Sequence, residues 1–135
     1  MNSSQMMREA LIQCGELDDM ALIDAGDGRI LPFPLEKAYA VFSDGVMSSG
    51  FLIGADNMLC AETIEVRVYV PESATIQQCR EYSKRLCIAA AEADTGSSIN
   101  SISVSECSFN ENCSAWEEKI TFSMAQSAET VQREE

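Results

Sequence analysis

The clearest alternation of hydrophobic and polar positions runs over residues 62–70. Every second residue there is apolar and β-branched, namely Ile64, Val66, Val68 and Val70. A period of two predicts a strand with one buried face and one polar face. Pro71 lacks the amide hydrogen that a sheet ladder needs, so we expect the strand to end there.

The strongest helical pattern follows this strand, over residues 72–91. Apolar or small residues repeat at spacings of three and four along one face: Ile76, Cys79, Ser83, Leu86, Cys87 and Ala90. Thr75 and Gln78 have the spacing of a capping box at the start of the helix. A shorter helix is predicted over residues 4–14, with Gly15 as the residue that ends it.

Two more strands are predicted after the long helix, as a hairpin over residues 99–107 and 115–125. Alternation places Ile102 and Val104 inward in the first of them. With a three-residue loop at 109–111, Cys107 would lie opposite Cys113. Residues 37–42 are apolar on both faces and predict a central strand.

The segments between these elements are rich in turn residues. Residues 18–29 contain many Asp and Gly residues, but aligning Gly28 with the glycine of a calcium-binding EF-hand loop places Ile23 and Pro34 at ligand positions. We therefore interpret this segment as a turn. Residues 43–61 predict a hairpin arm that carries the short apolar stretch Phe51, Leu52 and Ile53. The sequence leaves open whether this stretch packs internally or contacts a partner.

The elements together predict an α+β fold. We expect an antiparallel sheet of about four strands, two helices packed on one face, and the protruding arm. The apolar faces of the strands over residues 62–70 and 115–125 should share one core with Ile76, Leu86 and Ala90. Residues 1–125 are predicted to form a single domain, and the charged C-terminal residues 126–135 are expected to fray.

The charge balance excludes several classes of partner. Nine Lys and Arg residues stand against 22 Asp and Glu residues, which gives a formal net charge of −13. Such a surface repels nucleic-acid phosphates and anionic membranes, so we expect neither sequence-specific nucleic-acid binding nor membrane binding. No apolar run is long enough to cross a membrane, and we expect a cytosolic origin.

Residues that could carry out chemistry are scarce. The sequence has no histidine, and its six cysteines include no CxxC pair. We interpret the cysteines as reduced structural residues; a bridge between Cys107 and Cys113 is conceivable but disfavoured in a reducing compartment. Neighbouring carboxylates such as Glu117 and Glu118 should point to opposite faces. No nucleotide-binding or nucleophile motif occurs, so we expect no catalytic, cofactor-binding or metal-binding residues and no enzymatic activity.

The order of these elements resembles the tail terminator, or tail completion, proteins of bacteriophages. The resemblance covers residues 30–125 and rests on RILPFPLEKAYAVF (residues 29–42), ETIEVRVYVPES (62–73), and the cysteine-containing helix followed by a serine-rich strand and a hairpin. It is closest to versions in prophages and phage-tail-like particles of Gram-positive bacteria. It implies a structural virion protein assembled in the bacterial cytoplasm.

The resemblance also implies partners. The subunit would form a hexameric ring that caps the phage tail tube protein and joins it to the head–tail connector protein. Phe51, Leu52 and Ile53 are the candidate subunit-interface residues, because a closing ring needs exposed apolar or strand-edge surface. The alternative is a small α+β binding or adaptor module that acts as a homodimer. A redox or metal-binding protein is a third class, which thiol titration would distinguish.

Overall fold

The structure is a computed structural model that describes residues 3–27, 35–44, 48–52, 57–61, 63–93, 99–124 and 127–130. Two α-helices are present in these ranges, α1 (Ser3–Cys14) and α2 (Ile76–Glu92), with a short 3-10 helix at Ala25–Asp27. The strands are β1 (Met20–Asp24), β2 (Ala38–Asp44), β3 (Ser48–Leu52), β4 (Asn57–Ala61), β5 (Thr63–Pro71), β6 (Ile99–Val104), β7 (Ser108–Asn110), β8 (Ala115–Met124) and β9 (Ser127–Thr130).

The strands form two sheets. The larger sheet has six strands in the order β1-β2-β5-β8-β6, and β7 also pairs with β8. β1 runs parallel to β2, and the other neighbours are antiparallel. The smaller sheet has three strands in the order β3-β4-β9.

The core lies on one face of the larger sheet. Val66 is fully buried at its centre, and its register partners are Phe42 on β2 and Ile120 on β8. Both helices contribute side chains to this same core, including Met7 from α1 and Leu86 from α2. The two helices therefore cover the same face, as predicted.

Local sequence signals explain where the helices begin and end. Thr75 and Gln78 form the predicted capping box, in which each side chain bonds the other residue's backbone N–H. Gly15 follows α1 with φ +71°, a left-handed conformation that glycine adopts without strain. The residues predicted on the apolar face of α2 are also buried, except that Cys87 is partly exposed and Ile76 is 43% exposed. Ile76 is the first residue of α2, and its side chain lies outside the core.

The predicted four-stranded antiparallel sheet is wrong in extent and in direction. The structure has a mixed six-stranded sheet, because residues 20–24 form β1 where a turn was predicted and residues 108–110 form the additional short strand β7. β1 pairs in parallel with β2, and this pairing requires no turn signal between the strands. β2 lies between β1 and β5 and is therefore a central strand, as predicted.

The predicted hairpin arm is present as the pairing of β3 with β4. Its third strand, β9, comes from residues 127–130, within the segment that was expected to fray. The smaller sheet thus joins the arm to the C-terminal part of the chain.

Ile102 and Val104 lie on the predicted face of β6, but the prediction that this face is buried is wrong. Ile102 is 38% exposed and Val104 is 47% exposed. Both share a sheet face with the buried residues of β8, but β6 is the last strand and no described element covers it there. Alternation identified the correct face of the strand. That face is exposed to solvent because neither described helix packs over it.

Candidate functional site

The predicted interface residues are only partly within the described chain. Phe51 and Leu52 lie in β3, where their register partners on β4 are Leu59 and Met58. Ile53 lies outside the described residues. The structure thus places the main chain of the apolar stretch in a paired strand of the smaller sheet.

The edge strand β6 is the most exposed part of the larger sheet. All its residues after Ile99 are exposed. Residues 99–105 carry no charged side chain, although the protein has a net charge of −13. Natural edge strands are commonly protected by charged side chains, which discourage pairing with another chain. β6 lacks this protection.

The opposite edge of the sheet, β1, is protected. The Arg8 side chain donates from Nε to the main-chain carbonyl of Leu22, at 2.7 Å. Asp24, at the end of β1, accepts a hydrogen bond from the Gly26 N–H at 2.9 Å. A helix side chain thus occupies an edge carbonyl of β1, so the two edges of the sheet differ in their capacity to pair.

Between β6 and β7 the chain bulges away from regular pairing with β8. Val104 pairs with Ile120 and Ser108 pairs with Glu117, so residues 105–107 lie opposite residues 118–119. The Ser105 N–H donates to the Lys119 carbonyl at 2.9 Å, and the Lys119 N–H donates to the Ser105 hydroxyl at 2.9 Å. An extra residue of this kind redirects the side chains that follow it.

The observed turn corrects the predicted position of Cys107. The turn of the hairpin occupies residues 111–114, and Asn110 pairs with Ala115, so Cys113 lies in the turn. Cys107 therefore does not lie opposite Cys113. It precedes Ser108, the partner of Glu117, and its sulfur lies beside Glu118 and Cys79.

Cys79, Cys107 and Glu118 form a cluster that we call the thiol–carboxylate cluster. Their two Sγ atoms and a carboxylate oxygen all lie within 4.8 Å of one another. Cys79 is fully buried on α2, and Glu118 is 3% exposed on the core face of β8. Each residue comes from a different element, so the cluster depends on packing of the helix, the strand and the bulge.

The carboxylate of Glu118 is unusual for a buried charged group. It shares the core face with Trp116 and Ile120, because alternate residues of β8 face the helices. It has no hydrogen-bond or ion-pair partner among the described residues. A cation bound beside it would give this carboxylate a partner.

An open cleft of about 300 Å³ borders the cluster at Glu118. Its lining consists of Arg80, Val104, Ser105, Glu106 and Glu118. Burial, and secondarily the Cys107 thiol, raise the pKa of Cys79, whereas the nearby charge of Arg80 lowers it. Burial raises the pKa of Cys87, which lies two turns further along α2, to about 11. Without a ligand, both thiols are therefore protonated at neutral pH.

Ser83 lies on α2 between these two cysteines, one turn from each. Its hydroxyl is buried and has no hydrogen-bond partner in the described part of the chain. Cys79, Ser83 and Cys87 thus form a polar stripe on the buried face of the helix. After burial, the Glu118 carboxylate is a further cause of the raised pKa of both cysteines.

Glu117 points to the opposite face of the sheet, as predicted for neighbouring carboxylates. Its oxygens accept hydrogen bonds from Arg67 at 2.8 Å and from Asn110 at 2.8 Å. The bond with Glu117 raises the pKa of Arg67, and burial raises the pKa of Tyr69 to about 12. Glu117 is therefore a partnered structural carboxylate, whereas Glu118 is not.

Sequence reasoning did not identify the thiol–carboxylate cluster. One signal was present in the sequence. Glu118 falls on the same side of the alternating pattern as the apolar residues Ile120 and Phe122. A charged residue at such a position predicts a buried carboxylate. The contribution of Cys107 could not be predicted, because it depends on the bulge and on a contact with α2.

No family model matches the sequence, and no curated protein matches it. No helix in the described ranges is long and apolar enough to cross a membrane.

Proposed function

We propose that the protein is a structural assembly subunit, a tail terminator that forms a ring on a phage-type tail. In this proposal the ring is hexameric, caps the tail tube protein and joins it to the head–tail connector protein in the virion. The resemblance of residues 30–125 supports the family assignment. The observation that carries the assembly role is the uncharged edge strand β6 with its exposed Ile102 and Val104.

The edge of β6 is suited to pairing with another copy of the chain. An edge strand offers unpaired main-chain donors and acceptors, and an added strand satisfies them. The serines of β6 carry no charge that would repel a neighbouring subunit. Ile102 and Val104 would lose water-exposed apolar surface on pairing, which adds about 25 cal/mol for each Å² buried.

A closed ring requires two different surfaces on each subunit, because its contacts are head-to-tail. β6 supplies one such surface. The arm formed by β3 and β4, which includes Phe51 and Leu52, is our candidate for the second. Protection of the β1 edge by Arg8 argues against contacts that join the two edges of the larger sheet directly.

The homodimeric binding module remains the second candidate, and the same edge favours it. Two β6 strands could pair with each other around a two-fold axis, since an isologous contact uses one surface twice. The cleft beside Glu118 would then be the candidate ligand pocket. Oligomeric state separates the two proposals.

The first experiment tests whether the exposed edge of β6 mediates association between subunits. Ile102→Lys and Val104→Lys add charge at exposed positions, so the fold should persist while subunit association is lost. Ile88→Lys is the matched control, because Ile88 is 48% exposed on α2 and away from the edge. Native mass spectrometry at low and high salt measures the oligomers. Association should increase with salt, because screening weakens the repulsion between subunits of charge −13.

The decisive experiment is deletion of the gene in its host. We expect tails of uncontrolled length, or tails that never join heads. Normal particles in the deletion strain would contradict the tail terminator assignment. A stable dimer that the edge variants dissociate would then favour the binding module.

A further inference from the structure

We propose that Cys79, Cys107 and Glu118 bind one Zn²⁺ ion, with the fourth coordination position open to the adjoining cleft. This site is independent of the tail terminator role. It also assigns to Cys79 and Cys107 a function that their spacing in the sequence did not indicate.

The geometry is close to that of a zinc site. Zinc bonds to sulfur at about 2.3 Å, so a tetrahedral ion holds two sulfurs roughly 3.8 Å apart. The three ligand atoms of the cluster lie within 4.8 Å of one another. Movements of about 1 Å or less, which a change of side-chain torsion provides, would complete the site.

The ligand types select the metal. Two thiolates and a carboxylate suit zinc and related thiophilic divalent ions, whereas calcium and magnesium require oxygen ligands. Binding would release the protons of Cys79 and Cys107, so the complex of Zn²⁺, two thiolates and one carboxylate has a charge of −1. Arg80 lines the same cleft and would offset this charge, and Glu106 would oppose it.

The burial of Glu118 is the second, independent observation. Its carboxylate is 3% exposed, has no partner among the described residues, and lies beside the two thiols. A bound cation would supply the missing partner. The cleft of about 300 Å³ next to Glu118 gives an entry path for the ion and room for a water as the fourth ligand.

Cobalt titration tests the site, because Co²⁺ replaces Zn²⁺ and has a visible spectrum. The full chain is reduced with a phosphine, freed of metal with a chelator and titrated with Co²⁺. We expect one Co²⁺ per chain, a sulfur-to-cobalt charge-transfer band, and the strong visible bands of tetrahedral cobalt. Zn²⁺ should abolish these bands by displacing the cobalt.

Variants assign the ligands. Cys79→Ser and Cys107→Ser should each raise the dissociation constant by more than the roughly 10–100-fold expected for losing an outer-shell partner. Glu118→Gln should retain the charge-transfer band but bind Co²⁺ at least about tenfold more weakly. Cys87→Ser is the matched control, since Cys87 lies on the same helix outside the cluster, and it should bind like the unmodified protein.

Thermal unfolding provides a second readout if a cysteine variant folds poorly. Zn²⁺ should raise the melting temperature of the unmodified protein, because a ligand that binds only the folded state stabilises it. The increase should be smaller for Glu118→Gln. Three results would each overturn the proposal. The first is failure of the unmodified protein to bind one Co²⁺ per chain, and the second is binding of Co²⁺ by Cys79→Ser as tightly as by the unmodified protein. The third result is isolation of a metal-free chain with a Cys79–Cys107 disulfide.

Discussion

Replacing Val66 with aspartate places a carboxyl group at the centre of the core. Val66 is fully buried, with Phe42 and Ile120 as its register partners. Val41→Asp is the matched control. Val41 lies on the other face of the same sheet, where it is partly exposed and its register partner is Arg67. The two variants make the same chemical change on opposite faces.

The expected loss of folding stability follows from the environment of each substituted position. Replacing the two methyl groups of Val66 loses about 1.6 kcal/mol of apolar burial. Keeping the buried carboxyl protonated at pH 7 requires raising its pKa from about 3.9 to 7 or above, which costs about 4 kcal/mol. Together these terms approach the total stability of a small domain, about 5–15 kcal/mol. Val41→Asp should cost about 1 kcal/mol or less, because its charge is hydrated and faces Arg67.

Urea denaturation at two pH values is the assay, with Val66→Thr as an additional variant that keeps the shape of valine and adds no charge. Burial would raise the pKa of the introduced carboxyl group in the folded state of Val66→Asp. The folded state therefore loses stability, relative to its value below about pH 4, as the pH rises. The stability difference between Val66→Asp and Val66→Thr should grow by roughly 1.4 kcal/mol for each pH unit between about pH 5 and pH 7.

A cooperative transition of Val66→Asp at the same urea concentration as Val41→Asp would refute this reasoning. It would mean that Val66 does not face the core, and that the orientation of β5 is wrong. A difference that does not change with pH would show that the carboxyl group reaches solvent.

Two further predictions concern groups outside the core. Hydrogen bonds from the Gly26 N–H and the Gln5 side chain lower the pKa of Asp24, with a smaller contribution from Arg8. Asp24→Asn should therefore be less stable than the unmodified protein at neutral pH, and urea denaturation should show the difference vanishing as the pH falls below about 4. Arg85 donates two hydrogen bonds to Asp19, each 2.8 Å long. Both side chains are exposed, so we expect the interaction to be weak. A double-mutant cycle with Arg85→Lys and Asp19→Asn should give a coupling energy of about 0.2–1 kcal/mol. A coupling energy near zero would show that the pair contributes no stability.

The elements with strong local signals were predicted correctly. Alternation over residues 62–70 specified β5, and the capping box of Thr75 and Gln78 specified the start of α2. Both signals depend on neighbouring residues alone. β1 was missed because its five residues adjoin Asp-rich and Gly-rich segments and its partner is parallel and distant in sequence.

Features that depend on neighbours in space were predicted less well. The pattern of β6 correctly places Ile102 and Val104 on the helix side of the sheet, but it carries no information on whether a helix covers them. The predicted alignment of Cys107 opposite Cys113 failed because the turn lies at residues 111–114 and not at 109–111, so Cys113 is in the turn.

Val66→Asp and the natural Glu118 both place a carboxyl group on the core face of the larger sheet. A carboxylate in place of the Val66 side chain would be surrounded by apolar side chains and has no route to compensation. Glu118 lies at the margin of the core, where two thiols, Arg80 and an open cleft surround it. A zinc ion would account for the carboxylate and both thiols together, and a smaller stabilisation of Glu118→Gln than of the unmodified protein by Zn²⁺ is the result that would support this explanation.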